Sequence, residues 1–341
     1  MMIFIYIITG GLILVLALGM AILIKQLVRL KQGNQRVHSE IEAARHDKLE
    51  DIGSVSRLTI LPLIDYYAED PDLKTEPGVS YLVSADETNI LLDVGFNRKK
   101  QHPSPLLHNI NALGVAIADL DAIFISHSHL DHVGGMEEQR RGQFSFSRGK
   151  VDLPEIPVYA PVALSPSGYN PGPRPEIVRQ PRRLAEGVAS IGVIPRNLFL
   201  LGYTREHSLA VRVRNKGLVL IIGCGHQTIE RILERAQALF DEPIYGIIGG
   251  LHYPVRGGRI SLGPVNLQNL VGSDRPPWRP LGEADVNHAI KAIKAVNPRF
   301  IALSPHDSSD WSLKQFQKAF GDRCHNLRVG KAMRIGVPGH G

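Results

Sequence analysis

Cysteine is scarce: Cys224 and Cys324 are the only two in 341 residues. That excludes a disulfide framework and suits a reducing compartment. Internal repeats and long low-complexity tracts are absent as well, so the chain is no solenoid or fibrous array. Between Met1 and Ile24 there is no charged side chain, and no basic segment precedes this apolar run. Without a basic leader or a small-residue cleavage site, and at this length, the run does not read as a cleaved signal peptide. The Arg/Pro-rich stretch 172–183 contains no aromatic residue, and Tyr169 is the nearest. A basic, aromatic-bearing nucleic-acid module is therefore missing, and no nucleic-acid partner is expected.

What is present begins with that apolar run. Twenty-four helical residues span about 36 Å, enough to cross a bilayer core with some tilt. Residues 1–24 are expected to form a single transmembrane anchor. Lys25, Arg29, Lys31 and Arg36 all follow it. The positive-inside rule then places the rest of the chain in the cytoplasm, giving a single-pass membrane protein. Residues 25–55 are polar and rich in helix formers, and read as a solvated juxtamembrane helix or mobile linker. The formal charge of +6 is compatible with an anionic substrate or a membrane surface, and equally with a solvated basic face. With 43 % hydrophobic residues, the remaining length suffices for one large globular domain, residues 56–338.

The chemistry concentrates in Ser126-His127-Ser128-His129-Leu130-Asp131-His132, directly behind the apolar run Ala122–Ile125. Four potential metal ligands lie within six residues at the end of a short buried strand. His127 and His129 share a side because strand side chains repeat every two residues, and Gly134-Gly135 permits a tight bend beyond Asp131 and His132. One loop thus offers two pairs of ligands. Imidazole and carboxylate suit zinc, with manganese or iron as alternatives, and two adjacent ions can clamp a hydrolytic transition state.

Three further loops repeat the plan of hydrophobic strand, small residues and histidine. They are Leu218–Ile222 before Gly223-Cys224-Gly225-His226, Pro243–Ile248 before Gly249-Gly250-Leu251-His252, and Arg299–Leu303 before Ser304-Pro305-His306. Strands are also expected at 57–64, with Pro62 giving part of it edge character, and at 79–83, 89–95, 156–160, 198–201 and 208–213. Helices are expected at 106–113, 228–240 and 283–296. The stretches 140–181 and 255–282 are Pro/Gly-rich and read mostly as surface insertions.

H-x-H-x-D-H behind a hydrophobic strand resembles the metallo-β-lactamase fold superfamily, and Leu91-Leu92-Asp93-Val94-Gly95 is similar to its first motif. Pro77-Gly78-Val79-Ser80, Gly223-Cys224-Gly225-His226, Gly249-Gly250-Leu251-His252, Ser304-Pro305-His306 and Phe320-Gly321-Asp322-Arg323 resemble one branch, the dihydropterin ribofuranosyl-aminobenzene phosphate synthase-like metallohydrolases. The resemblance implies an α/β fold, a four-layer αβ/βα sandwich, with a dinuclear site. It implies that His127, His129 and His226 bind one divalent ion and Asp131, His132 and His306 the other, and that Asp93 supports the metal loop. The branch follows its last histidine with Cys-Thr-Gly, where this chain has Asp307-Ser308-Ser309, so the substrate departs from the branch pattern more than the metals do. Many members also bridge the ions with an aspartate where this chain has Cys224. Cys224 is then either a thiolate ligand or a small residue packing the turn, and His207 either an upstream ligand or a strand-edge surface histidine.

These residues predict a membrane-anchored hydrolase in which a metal-bound hydroxide attacks a small phosphorylated, ester or lactone metabolite. Asp131 would hold a metal and accept a proton, and His252 would donate a hydrogen bond to the substrate oxygen. Arg196 and Arg205 are candidates for phosphate recognition. The competing readings are an iron-containing redox or metal-sensing protein on the same site and a nucleic-acid phosphodiesterase.

Overall fold

Alternation along single strands shows how the layers are stacked. In Gly217–Ile222, Leu218, Leu220 and Ile222 face one hydrophobic core, while Val219 and Ile221 face another. In Ala122–Phe124, Phe124 faces the second core and Ile123 a third. Both strands are buried on both faces, as their unbroken apolar runs require. The middle core therefore lies between two sheets, and the outer cores lie under helices. The computed structural model describes residues 2–263 and 265–336; Met1 and residues 337–338, at the ends of the expected anchor and domain, fall outside them.

Each sheet has seven strands. The first runs, in spatial order, Met333–Gly336, Arg57–Ile64, Ser80–Ala85, Thr88–Leu92, Ala122–Phe124, Pro157–Ala160, Arg174–Ile177. The second runs Cys324–Asn326, Phe300–Leu303, Ile244–Gly249, Gly217–Ile222, Leu209–Val213, Val188–Ser190, Arg182–Ala185. The helices are α1 (Met2–Ala43), α2 (Pro105–Ala112), α3 (Met136–Arg141), α4 (Ile229–Leu239), α5 (Leu267–Val271), α6 (Glu283–Val296) and α7 (Asp310–Phe320). Leu106, Leu107 and Ile110 of α2 cover the first sheet. Ile232, Val286 and Phe316, from α4, α6 and α7, cover the second. This is an α/β sandwich of two sheets, as expected.

Parallel pairing of Gly217–Ile222, Ile244–Gly249 and Phe300–Leu303 carries the loops at 223, 250 and 304 out on one side. On the first sheet, Thr88–Leu92 and Ala122–Phe124 are also parallel, and place Asp93 beside Ser126. One rim thus collects every histidine-bearing loop.

As expected, the part of the strand around Pro62 has edge character: pairing with Met333–Gly336 stops at Ile60, so the missing N–H breaks no bond there. Other local expectations need correction. The strand expected at 89–95 ends at Leu92, because Asp93 turns with φ +57°. The strand expected at 198–201 is displaced: Ile194–Leu198 and Gly202–Glu206 form a hairpin, and Leu200 and Leu201 are exposed at its turn. The 140–181 stretch takes in only the last two residues of α3, and it contains the strand Pro157–Ala160 and the exposed edge strand Arg174–Ile177, where Pro175 is tolerated.

The segment after the apolar run is a largely exposed helix, as one of the two expectations had it, but one face of it is docked. α1 continues unbroken to Ala43, and its later turns dock on the hairpin. Leu30, Gly33, Asn34 and Val37 recur at helical spacing and form the contact stripe. Leu30 and Val37 are buried, and Asn197 Nδ2 donates to Leu30 O (3.1 Å) and Asn34 Oδ1 (3.0 Å). A side chain at Gly33 would collide with Asn197, so glycine permits the approach. The N-terminal part stands apart: an apolar stretch of Gly11–Ala43 is long enough to cross a membrane and is fully exposed.

Candidate metal centre

Three histidines of the site, His127, His132 and His306, have Nδ1 held by the protein and Nε2 left bare. Ser126 Oγ donates to Asp93 Oδ2 (2.7 Å) and accepts from His127 Nδ1 (3.0 Å). His132 Nδ1 donates to the same Asp93 oxygen at 2.7 Å. Ser304 Oγ donates to Asp65 Oδ2 (2.7 Å) and accepts from His306 Nδ1 (2.6 Å). In all three rings Nε2 is buried with no partner. A buried, unpartnered nitrogen is costly unless something pairs with it.

Two triads emerge. Ligand atoms of His127, His129 and His226 lie within 4.8 Å of one another, and so do those of Asp131, His132 and His306. His129 Nδ1 stands 3.1 Å from His226 Nε2. Two nitrogens bound to one tetrahedral ion at ordinary zinc–nitrogen distances would be about 3.3 Å apart, so the spacing suits shared ligation. His129 Nε2 is then free to donate to Thr204 Oγ1, 3.4 Å away. The orphaned nitrogens and the N/O donor set fit divalent ions.

Electrostatics agree with that fit. Burial first, and the charge of neighbouring imidazoles second, hold His127, His226 and His306 well below the usual histidine range and push His129 down to about 3. These rings are neutral with lone pairs available. His132 is the exception: burial opposes its charge, but Asp93 and Asp131 outweigh burial and raise it to about 9. The Asp131 carboxyl, about a fifth exposed, is raised by burial.

The remaining sequence candidates fall in different places. His252 joins the site: Nδ1 lies 3.3 Å from Cys224 Sγ, and a side chain at Gly272 would collide with Nε2. Its backbone has φ +54°, and Thr228 of the neighbouring loop has φ +70°. Such conformations in side-chain-bearing residues concentrate at functional sites. Cys224 is buried between the triads, with Sγ within 4.8 Å of ligand atoms of His127 and His132 on one side and His306 and Asp307 on the other. Burial, then the Asp307, Asp131 and Glu206 carboxyls, keep it a thiol. Asp307 is buried at the same rim, with Oδ2 3.9 Å from His306 Nε2, and accepts from His252 N at 3.0 Å. His207 is buried, not at the surface. Its Nε2 donates to Ile125 O (2.9 Å), its Nδ1 meets Ser190 Oγ (3.0 Å), and its ring stacks on Phe124, so neither nitrogen faces the triads.

Sequence reasoning missed Glu206 and Asp65. Glu206 Oε1 accepts from Cys224 N (3.1 Å) and Gly225 N (2.8 Å), fixing the loop that carries His226. Burial raises its carboxyl to about 7. Asp65 directly follows the expected strand 57–64, and a lone acid there was an available signal; Glu206, between the expected strands 198–201 and 208–213, carried none.

The centre opens on a cavity of about 280 Å³ lined by His226, His252, Thr228 and the side chains of Arg196, Arg231 and Arg275. Arg205 lies elsewhere, packed over Tyr203 and lining the cavity beside α1.

Comparison with known proteins agrees on the fold and on the family of the loop that carries His127 to His132. Residues 73–141, which contain the His127–His132 loop, match the Metallo-beta-lactamase superfamily. The 7,8-dihydropterin-6-methyl-4-(beta-D-ribofuranosyl)-aminobenzene-5'-phosphate synthase of Methanocaldococcus jannaschii is 25% identical over 247 residues, 60% of this chain and 80% of that protein. The probable RNase MJ4 of the same organism is 41% identical over only 74 residues, 22% of this chain and 14% of that protein. The crystal structure of Tm1679, a metal-dependent hydrolase of the beta-lactamase superfamily, superposes with a TM-score of 0.54 at 19% identity, covering 82% of this chain and all of that one. The chain carries a metallo-β-lactamase superfamily domain, folded as the α/β sandwich of two sheets.

Proposed function

We propose that this protein is a membrane-anchored, metal-dependent hydrolase of a small phosphorylated or ester-type metabolite. One observation carries the reading: two triads, His127–His129–His226 and Asp131–His132–His306, meet at one rim, with Nε2 of His127, His132 and His306 and Nδ1 of His226 buried and without a partner among the described residues. Two divalent ions held there, zinc before manganese or iron, would supply Lewis acidity and an activated water. The chain's own groups do the rest. Asp131, with part of its carboxylate exposed, takes up the proton released from the attacking water. His252, its backbone N–H bonded to Asp307, presents a ring beside His226 that donates to the developing oxyanion. The M. jannaschii relative is named for a 5'-phosphate-bearing compound, which supports a phosphorylated metabolite. The exposed apolar part of α1 supports the anchor, and the basic residues following it a cytoplasmic domain.

The test is elemental analysis of the full chain, purified in detergent without added metal, beside His129→Ala. Two equivalents are expected in the native chain. His129→Ala should lose about one of them, together with hydrolysis of a phosphoester and ester panel. Unchanged metal content in the variant would refute the assignment.

A further inference from the structure

The cavity beside His226 and His252 contains more cationic charge than its own acids satisfy. Arg196 gives Nη2 to Asp274 Oδ1 (2.8 Å), yet its Nε is buried without a partner. Arg275 is committed to both oxygens of Asp285 (3.0 and 2.6 Å). Arg231, in the first turn of α4, differs from both: among the described residues it forms no ion pair, and its Nη1 is buried and unpartnered. The other charged or titratable groups on the wall are His226, His252, Tyr253, Glu230, which faces His288 at 4.0 Å, His288 itself and the already paired Asp285. A half-buried guanidinium with an unused donor is unfavourable until an anion reaches it.

Resting on the hydrolase reading, we propose that this cavity is the subsite for a phosphate-type oxyanion at the non-reacting end of the substrate, with Arg231 as its anchor. A guanidinium offers donors in a planar fork suited to phosphate oxygens, and Arg196, which lines the same cavity, has an unused Nε donor. The first turn of α4 directs further positive potential to the same space. Because His226 and His252 line this cavity and also belong to the metal rim, a substrate anchored on Arg231 has its other end at the two triads. The site thus selects a two-ended molecule: one anionic group held by arginine, one hydrolysable bond at the metals.

The probe is inorganic phosphate, titrated calorimetrically into chelator-stripped full chain in neutral detergent. Stripped native protein is expected to bind phosphate. Arg231→Gln should weaken binding at least about tenfold, and Arg231→Lys should restore part of it. Unchanged unfolding temperatures for both variants would show that the fold is intact. Phosphate that binds only after metal is restored sits at the metals, and overturns the subsite while sparing the hydrolase reading. Equal binding by native chain and Arg231→Gln also overturns it. Conversely, His129→Ala with full metal content defeats the metal assignment and leaves the phosphate result standing. Repeating the titration in nanodiscs identifies the source of the anion. Loss of phosphate binding when phosphatidic acid replaces part of the phosphatidylcholine supports the subsite with a lipid headgroup as ligand. Equal binding in both supports it with a soluble phosphate ester.

Discussion

His132 Nδ1 lies 2.7 Å from Asp93 Oδ2, and both side chains are fully buried. Asp93 therefore orients the ring and also retains a proton on it, since the Asp93 and Asp131 carboxylates overcome burial and raise His132 to about 9. The folded value lies above the unfolded one of about 6.5. The pair thus contributes stability that is complete below pH 6.5 and is lost as pH rises through 9.

A metal ion competes with that proton for His132. Uptake of the second equivalent should tighten about tenfold per pH unit from pH 7 to 9 and release one proton. The other imidazoles of the two triads are held neutral and add none to the count. Calorimetry in buffers of different ionisation enthalpy reads that proton directly. Asp93→Asn should flatten the pH dependence over this range. Affinity independent of pH in the native chain would contradict the linkage.

Asp65 controls the other end of the site. Burial raises its carboxyl to about 7, against the hydrogen bonds it accepts from Ser304, Tyr66 N and Tyr81. With the folded value above the unfolded one, the contribution of protonated Asp65 to stability is complete below about pH 4 and is lost as pH rises through 7. Asp65→Asn cannot ionise. Apart from a constant offset for altered hydrogen bonding, the variant should gain on the native metal-free chain between pH 4 and 7, by up to about 4 kcal/mol, and then level off. Denaturant unfolding of both proteins across this range measures the difference; parallel stability curves would count against it. Ser304→Ala, which releases His306 Nδ1, should weaken the second metal by about 10–100-fold.

How far the site could be read from sequence depended on whether its parts were local. His127, His129, Asp131 and His132 sit in one loop behind one strand, so spacing alone placed them together. His226, His252 and His306 followed from a repeated strand-end pattern, because parallel strands bring their loops to one rim. Glu206 acts on Cys224, 18 positions away, and Asp65 on Ser304, 239 positions away, and no local period encodes such pairings. His207 drew attention as the titratable residue on its strand end, whereas the preceding carboxylate is the group aimed at the site. The two sheets were legible from apolar alternation, while exposed Arg174–Ile177 carried none. Docking of α1 was hidden because its polar residues read as solvated, although Leu30 and Val37 already stood two turns apart.

That docking couples α1 to the rim that holds the two triads. Asn197 holds α1, and the partner strand of its hairpin carries Thr204, 3.4 Å from His129, and Glu206, which fixes the 224–226 loop. Residues 25–44 therefore brace the site, and the helix and the metals should prove energetically linked. Removing residues 1–24 should leave the unfolding free energy of the remaining chain nearly unchanged, since the exposed apolar stretch makes no contact with the domain core. Removing residues 1–44 exposes the hairpin face and deletes the burial of Leu30 and Val37 together with the Asn197 bonds. Two buried aliphatic side chains and one hydrogen-bonded amide predict a loss of about 4 kcal/mol. Affinity for the first metal, at His127, His129 and His226, should weaken with it. The double truncation series, followed by denaturant unfolding and zinc titration in the same detergent, separates these effects. Identical stability for the two truncations would mean that the later turns of α1 rest on the domain without supporting it.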